Sequence, residues 1–507
     1  MLQFKCVMKK YLLYFCFVLG VICFCLTGGR FNIIFCAWLF PVLLLLFSDA
    51  KKINKLVRIV MLIIGIQISS ILKHYGIISS GRYYLVKYDI LVLILYGLVF
   101  SLPFVFHIFL TPKIKNRLLK ILFFPCCWTA LEFIMSHAIG GTLSSISSSQ
   151  FAFSPFIQFS SAVGALGITF FICFFASALE NAIITLCFSK TLICTLVVAV
   201  LIILFGFVRL ITSPEPIEKV IVASITRTYG HSQFDDSYDA FTEEQFNQVL
   251  YYLEDDISKA NEEGADVVLW FEECFLLWHE KVEEFTEYAR LLAKKYSIAL
   301  IVPMEIGFEE GYYWNNCLVA INKNGEMEYR YDKTFLVPVL ESFIMKGDGK
   351  IKSFKVENTK ISSVICFDTS YPSFIRKCSH EGVQLLLSPA WDWDLIAEYA
   401  CRSMIVRGIE NGFSFVRNAY HGILMAIDPY GRVITEAKTD NVGSDVIVSE
   451  MPIYNVTTIY GKTGDVIPVF CLIYVLITSV YVICLKIKQH RNDMLRKKVT
   501  LFESPGQ

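Results

Sequence analysis

The sequence predicts a multi-span α-helical membrane domain that carries one α/β domain. Apolar residues make up 55% of the 507 residues and charged residues only 18%, and the mean hydropathy is +0.53. Soluble domains are about one quarter charged, so this composition favours a membrane protein. Apolar runs recur at roughly the 20 residues that a helix needs to cross a bilayer. One polar block, residues 213–463, instead alternates strand-like and helix-like patterns.

The apolar runs divide the chain. They lie at residues 11–28, 31–48, 57–73, 89–110, 118–136, 161–186, 192–212 and 465–486. We therefore predict a membrane domain over 1–212 with about seven transmembrane helices, a globular domain over 213–463, a transmembrane helix over 464–487 and a basic tail over 488–507.

Basic residues indicate which side of the membrane each loop faces. They precede the first run, fill every second loop after it, and return in the tail: Lys5, Lys9, Lys10, Lys51, Lys52, Lys55, Arg58, Lys113, Lys115, Arg117, Lys120, Lys486, Lys488, Arg491 and Arg496. The positive-inside rule then predicts that both termini are cytoplasmic. It predicts that residues 213–463 lie on the outer face of the cell membrane.

Composition and residue spacing argue against nucleic-acid binding, a disulfide framework and a metal site. The net charge is +0, so no global field favours nucleic acid. Most of the 17 cysteines lie inside apolar runs, and those of the polar block have no Cys-x-x-Cys spacing, so we expect neither a disulfide framework nor a zinc site. The eight histidines have no metal-ligand spacing. We expect a monomer without metal or cofactor.

The polar block has the pattern of one layered α/β domain. Strand-like runs lie at 220–225, 267–270, 298–302, 316–322, 327–332, 361–366 and 383–387. Amphipathic helical patterns separate several of them, near 243–257, 282–292 and 395–411. Thr242 and Gln245 form a capping box that marks the start of the first helix. The alternation of strands and helices predicts stacked sheet and helix layers.

Three residues with complementary chemistry follow strand-like runs of this block. Cys366 would be the nucleophile, since thiols are intrinsically nucleophilic and a nearby cation lowers their pKa. Lys333 would supply that cation and stabilise the oxyanion, while Glu272 would act as the base. Taken singly, however, a Cys, Glu or Lys is more often a structural or solvated residue than a catalytic one.

The surroundings of these residues resemble the nitrilase, or carbon–nitrogen hydrolase, superfamily. The segment 269–272 is similar to its Trp-Pro-Glu, 333–341 to its Lys-x-His-Leu-Val-Pro-Phe-Gly-Glu, and 364–368 to its Ile-Cys-Tyr-Glu. The membrane spans, the stretch 149–167 and the segment 460–464 resemble the apolipoprotein N-acyltransferase family in particular. The resemblance covers nearly the whole chain and keeps the order of the motifs, and it implies an αββα sandwich.

The resemblance also implies supporting or substrate-binding residues. These are Trp270, Glu341, Phe367, Asp368 and Trp391. The chain departs from the family pattern at several of them. Phe271 replaces proline, Phe367-Asp368 replaces Tyr-Glu, and residues 388–391 read Ser-Pro-Ala-Trp, which is closer to soluble nitrilase relatives.

The activity that the resemblance implies is acyl transfer through a Cys366 thioester. A phospholipid would donate the acyl chain, and the α-amine of a lipoprotein's N-terminal diacylglyceryl-cysteine would accept it. Two alternatives stay open: a membrane-tethered amidase that uses the same Glu-Lys-Cys triad with water, and a non-catalytic membrane scaffold. Hydrolysis of a soluble amide gives no reason for so many spans.

Overall fold

The computed structural model describes residues 2–28, 30–76, 86–138, 141–142, 145–187, 190–227, 242–308, 314–439 and 445–502. The first part of the chain is helical, as its apolar runs predict. Its helices are α1 (Leu2–Cys25), α2 (Ile34–Ser48), α3 (Lys55–His74), α4 (Val86–Leu110), α5 (Arg117–Ala138), α6 (Ser154–Ile157), α7 (Ser160–Thr185) and α8 (Lys190–Ile211).

Buried aromatic rings fill the centre of this helical bundle. The fully buried indole of Trp128 on α5 lies 5.5 Å from the ring of Phe100 and 5.4 Å from that of Phe40, measured between ring centroids. Beside it, the Glu132 carboxylate accepts hydrogen bonds from the Trp128 indole N–H at 2.9 Å and from the Ser145 hydroxyl at 2.6 Å. Glu132 therefore fastens the loop that follows α5 to the bundle.

The next part of the chain folds into two sheets. The first has the order β13-β1-β2-β4-β5-β6, with β3 paired to β4. Its strands are β1 (Glu218–Ile225), β2 (Val267–Leu269), β3 (Phe275–Trp278), β4 (Ala299–Gly307), β5 (Trp314–Ile321), β6 (Met327–Asp332) and β13 (Val446–Ile453). Strands β1, β2 and β4 run parallel to one another.

The second sheet has the order β12-β11-β10-β9-β8-β7. Its strands are β7 (Ser353–Val356), β8 (Thr359–Ser363), β9 (Leu385–Trp391), β10 (Ser414–Tyr420), β11 (Ile423–Ile427) and β12 (Val433–Lys438). The central strands β8, β9 and β10 are parallel. The carboxyl ends of several strands of this sheet therefore meet at one edge.

The sheets pack face to face between helices. These are α9 (Glu243–Glu262), α10 (Val282–Tyr296), α11 (Pro372–His380) and α12 (Asp394–Asn411). Alternate residues of the first sheet follow this layering, since Val222 and Leu269 join the core shared with the second sheet while Ala223 and Val268 pack with α9 and α10. The observed capping box at Thr242 confirms the predicted start of α9. The predicted αββα sandwich is confirmed.

Two further helices follow the sandwich, α13 (Ile459–Thr463) and α14 (Val466–Phe502), and α14 packs against α5 and α7. Among the described residues, six helices are long and apolar enough to cross a membrane, namely α3, α4, α5, α7, α8 and α14, and α1 and α2 contribute shorter apolar segments. The number of spans stays a prediction. Of the predicted tail, residues 503–507 and the side chains of 490–502 lie outside the described part, as do those of Lys5 and Lys9.

A glycine marks one contact between the bundle and the segment that follows the sandwich. Gly164 on α7 has a φ of +73°, and a Cβ built on it would lie 2.4 Å from the ring of Tyr460 on α13. Only glycine allows this backbone conformation and this close approach without strain. Next to it, the buried Glu410 carboxylate of α12 accepts a hydrogen bond from the backbone N–H of Ala165.

Candidate active site

The ends of three strands bring the predicted triad together between the two sheets. Glu272 follows β2, Lys333 follows β6, and Cys366 follows β8 by three residues. The backbone N–H of Glu272 donates to the carbonyl of Ala390 on β9 at 3.3 Å, so the strand end of one sheet is bonded to the other. Glu272 and Lys333 are buried, and Cys366 is 9% exposed.

Glu272 and Lys333 form a buried ion pair. The Lys333 ammonium donates to Glu272 Oε1 at 2.6 Å and also to the Glu341 carboxylate. Asn316 Nδ2 donates to the same Glu272 oxygen at 2.8 Å. Each charged group is thus hydrogen-bonded, which a buried charge requires to be tolerated. Glu341 is itself held by the backbone N–H of Val337 at 2.6 Å.

Two backbone groups of Trp391 link the carboxylate to the thiol. The Trp391 N–H donates to Glu272 Oε2 at 2.8 Å. The Cys366 thiol donates to the Trp391 carbonyl oxygen, with 3.7 Å between the sulfur and the oxygen. Cys366 has a φ of +43°, a left-handed conformation that a non-glycine residue rarely adopts. Such strain concentrates at functional sites, where the surrounding fold maintains it.

The resting charges of the site follow from burial and from neighbouring groups. Burial, and then the negative charge of Glu272, raise the pKa of the Cys366 thiol well above its ordinary value, although Lys333 and Arg417 act to lower it. The expected lowering by Lys333 is present but is outweighed. Burial acts to lower the pKa of Lys333, yet Glu272 and Glu341 raise it well above its ordinary value. At neutral pH the site therefore holds a neutral thiol beside an ammonium.

Asp368 anchors the turn that carries Cys366, the predicted nucleophile. It is fully buried and accepts hydrogen bonds from the Tyr331 hydroxyl at 2.6 Å, the Phe335 N–H at 2.7 Å and the Ile365 N–H at 3.1 Å. Burial raises its pKa to about 7. One carboxylate thus fixes the loop after Lys333 to the loop before Cys366, which sets the distance between these two residues.

The three aromatic residues that the sequence suggested have separate positions. Trp270 is fully buried and its indole N–H donates to Asp256 at 2.9 Å, so its side chain packs within the domain. Phe367 is partly buried, with its ring 5.5 Å from that of Tyr371. The ring of Trp391 lies edge-on to Tyr420 at 5.2 Å, and its backbone N–H and carbonyl contact Glu272 and Cys366.

Asn316 and the pair of Arg417 with Asp392 belong to the site but were not predicted from the sequence. Asn316 contacts Glu272, but nothing in the pattern of β5 distinguishes it from Asn315. Arg417 and Asp392 form a buried pair with two hydrogen bonds of 2.6 and 2.7 Å, and both charges act on the Cys366 thiol. Their positions, 25 residues apart in sequence, become related only through the pairing of β9 with β10.

A cluster of carboxylates surrounds the Lys333 ammonium. Oxygens of Glu272, Glu273 and Glu341 all lie within 4.8 Å of one another, the spacing at which three ligands hold a metal ion. The Lys333 ammonium already contacts two of these carboxylates. It thus supplies positive charge at the position where an ion would otherwise be needed.

The turn that carries the predicted nucleophile Cys366, the nucleophile turn, also contacts the loop that follows α5. The backbone N–H of Thr142 donates to the carbonyl of Ser370 at 2.9 Å. A Cβ on Gly141 would lie 2.2 Å from the same carbonyl oxygen, so the two backbones touch. The residues that carry Cys366 are therefore bonded directly to the helical bundle.

Comparisons with known proteins agree with this architecture. Residues 227–459 match the family model described as Carbon-nitrogen hydrolase, and residues 19–178 match the one described as Apolipoprotein N-acyltransferase N-terminal domain. The sandwich with its strand-end residues is thus a nitrilase-superfamily domain attached to membrane helices. The chain belongs to the apolipoprotein N-acyltransferase family, whose members are enzymes, and it is a multi-pass membrane protein.

Individual relatives have low sequence identity to this chain, but their alignments cover most of it. An apolipoprotein N-acyltransferase of Rickettsia prowazekii (strain Madrid E) is 22% identical over 420 residues, which is 75% of this chain and 81% of that protein. Apolipoprotein N-acyltransferase 2 of Treponema denticola is 23% identical over 441 residues, 75% of this chain and 80% of its own. Among solved structures, an amidase from Nesterenkonia sp. aligns with 50% of this chain and 97% of its own, at 18% identity and a TM-score of 0.40.

Proposed function

We propose that this enzyme moves a fatty acyl chain from a phospholipid to the α-amine of the N-terminal diacylglyceryl-cysteine of lipoproteins, through a thioester on Cys366. The observation that carries the proposal is the junction at Trp391. Its backbone N–H contacts Glu272, the proposed base, and its backbone carbonyl contacts Cys366, the proposed nucleophile. Cys366 lies on a turn that is bonded to the helical bundle. This arrangement supports covalent catalysis on a substrate that stays in the bilayer.

In the first half-reaction the Cys366 sulfur attacks the ester carbonyl of the phospholipid. The thiol proton passes to the Glu272 carboxylate as the carbon–sulfur bond forms. The Lys333 ammonium stabilises the oxyanion, because its raised pKa keeps it protonated. When the carbon–oxygen bond breaks, the leaving alkoxide takes the proton from Glu272. The products are a lysophospholipid and the acyl-enzyme.

In the second half-reaction the acceptor amine attacks the thioester carbon. Glu272 takes a proton from the nitrogen as the amide bond forms and returns it to the departing Cys366 sulfur. The free thiol is regenerated, and atoms and charges balance without a metal or cofactor. The raised pKa of Cys366 helps at this step, since it makes return of the proton to sulfur favourable once the thioester has opened.

We further propose that the catalytic domain lies on the outer face of the membrane, that both termini are cytoplasmic, and that the enzyme acts as a monomer. The distribution of basic residues supports the orientation. The contact between Thr142 and Ser370 also fits it, because α5 begins at the basic end of the bundle and its other end meets the nucleophile turn. The two substrates then reach the site laterally.

The test is intact mass spectrometry of the purified protein after incubation with a defined phospholipid. We expect a gain of one acyl chain on Cys366, absent in Cys366→Ala, that a diacylglyceryl-cysteine peptide discharges and water does not. An adduct lost equally fast without the peptide would support the membrane-tethered amidase instead. A biological phenotype that survives Cys366→Ser would support the non-catalytic scaffold.

A further inference from the structure

Two carboxylates beside the proposed base have no part in the mechanism above. Glu273 directly follows Glu272 and accepts a hydrogen bond from Asn316 Nδ2 at 2.9 Å. Glu305 lies on β4 directly opposite Asn316 on β5. Both glutamates are half-buried, whereas Glu272 is buried, so they lie closer to solvent than the base does.

This group of acids is rich in negative charge. Four carboxylates act on one another around a shared lysine: Glu272, Glu273, Glu305 and Glu341 around Lys333. Burial and this mutual repulsion raise the pKa of Glu273 well above its ordinary value and that of Glu305 to about 7. A second cation placed among them would allow all the carboxylates to be charged.

A buried acceptor belongs to Asn316, the residue that pairs with Glu305 and contacts Glu273. Asn316 is fully buried, and its amide nitrogen binds Glu272 and Glu273. Its amide oxygen has no hydrogen-bond partner among the described residues. A buried carbonyl oxygen left unpaired is costly, and a ligand that brings N–H donors would satisfy it.

Two tryptophans lie on the same face of the sheet as Glu305, beside the residue two positions further along β4. Trp278 on β3 and Trp314 on β5 both pair with Gly307, two residues beyond Glu305 on β4. A Cβ on Gly307 would lie 2.8 Å from the Trp314 ring and 2.9 Å from the Trp278 ring, so both rings cover this glycine. Their centroids are 5.9 Å apart. Indole faces beside carboxylates are a favourable setting for an organic cation.

We propose that Glu273, Glu305 and the Asn316 amide oxygen, next to the Trp278–Trp314 pair, form a subsite for a primary ammonium group of a substrate. The inference rests on the proposed function and deepens it. The ammonium bound here is not the amine that reacts, because carboxylates that bind an ammonium hold its proton in place, whereas the attacking amine must lose its proton to Glu272.

Two substrate groups have this chemistry. One is the ethanolamine headgroup of a phosphatidylethanolamine donor. The other is a lysine side chain close to the N-terminal cysteine of the acceptor. They are distinguished by binding measurements in which no turnover occurs.

The experiment uses the full-length Cys366→Ala protein in detergent micelles. Isothermal titration calorimetry compares short-chain phosphatidylethanolamine with phosphatidylglycerol that has the same acyl chains, and compares diacylglyceryl-cysteine peptides that carry lysine or glutamine at the next position. We expect binding about tenfold tighter for the ammonium-bearing member of one pair, the size of one charge-assisted hydrogen bond. A preference within the lipid pair would assign the subsite to the ethanolamine headgroup, and a preference within the peptide pair would assign it to the acceptor lysine.

Two further results are expected. Adding Glu273→Gln and Glu305→Gln together should abolish the preference, while Glu357→Gln, whose side chain is 59% exposed, should retain it. The preference for the ammonium-bearing ligand should also grow as pH rises through about 7, where Glu305 loses its proton. The charged groups around Glu305 are Glu272, Glu273, Glu341 and Lys333. A primary ammonium stays protonated over this range.

Equal binding within both pairs, or a preference that the double variant retains, would overturn the inference. The pH dependence needs no variant, so it decides the matter even if the double variant does not fold. Failure here leaves the proposed function standing if the wild-type protein still forms the thioester. If the protein prefers the ammonium-bearing ligand but the wild type forms no thioester, the subsite would be supported and the proposed function contradicted.

Discussion

The peptide N–H of Trp391 donates a hydrogen bond of 2.8 Å to the Glu272 carboxylate, and this bond joins the carboxyl ends of two strands that belong to different sheets. The backbone carbonyl of the same residue accepts a hydrogen bond from the Cys366 thiol. The backbone of Trp391 therefore contacts both the proposed base and the proposed nucleophile.

Replacing Glu272 by glutamine should affect reactivity and catalysis in opposite directions. The carboxylate raises the pKa of the Cys366 thiol, so its loss should increase alkylation of Cys366 by iodoacetamide at pH 7 by about tenfold. Thioester formation should instead fall by about a thousandfold, because the base is gone. Peptide-level mass spectrometry measures both, with the exposed Cys187 as the reference thiol. Slower alkylation in this variant would contradict the charge arrangement.

Asp368→Asn should loosen the nucleophile turn. The carboxylate accepts from three backbone N–H groups and the Tyr331 hydroxyl, and an amide offers one oxygen in place of two. We expect a loss of about 2–4 kcal/mol of stability, together with slower acyl loading. Thermal unfolding and intact mass measure these effects. Asp348→Asn, on an exposed loop, is the control and should change neither.

Gly164→Ala should destabilise the contact between α7 and α13. The new methyl group would meet the Tyr460 ring, and the backbone would remain left-handed. Gly264→Ala is the matched control, since its φ is +72° and nothing lies within 4 Å of its Cβ position. We expect a cost of about 1 kcal/mol for the control, from backbone strain alone, and about 3 kcal/mol or more at Gly164. Equal losses of stability would exclude the Tyr460 clash.

Asp256→Asn should stabilise the protein more at alkaline than at acidic pH. Burial raises the pKa of this carboxyl from 3.8 to about 7, so the folded state retains a proton that the unfolded state has lost. Its contribution to stability therefore falls as pH rises between these two values. Asparagine keeps the acceptor for the Trp270 indole and removes the charge. The variant should gain about 2 kcal/mol more at pH 8 than at pH 5.5.

Chemical denaturation at the two pH values measures that gain. The exposed control Glu450→Gln should show no such difference. A gain that is the same at both pH values would mean that the folded state does not hold the Asp256 proton.

The sequence led to the αββα class and to Glu272, Lys333 and Cys366 because each lies in a recognisable motif after an apolar run. It did not lead to strands β3 and β7, which have only four residues each, or to β10, β11, β12 and β13, which follow the last predicted strand-like run at 383–387. Nor did it indicate Asn316, whose role depends on lying opposite Glu305. The contacts of Trp391 with Glu272 and Cys366 come from its backbone N–H and carbonyl, which every residue type except proline provides, so side-chain chemistry could not reveal them.

The bond between Thr142 and Ser370 has a kinetic consequence under the proposed function. A nucleophile fastened to the helical bundle draws its lipid from the surrounding leaflet and never from bulk solution. The rate of acylation should then follow the mole fraction of the donor among the lipids and remain constant when the whole mixture is diluted with buffer. Two-dimensional diffusion, and not aqueous encounter, would limit how often the acyl-enzyme forms.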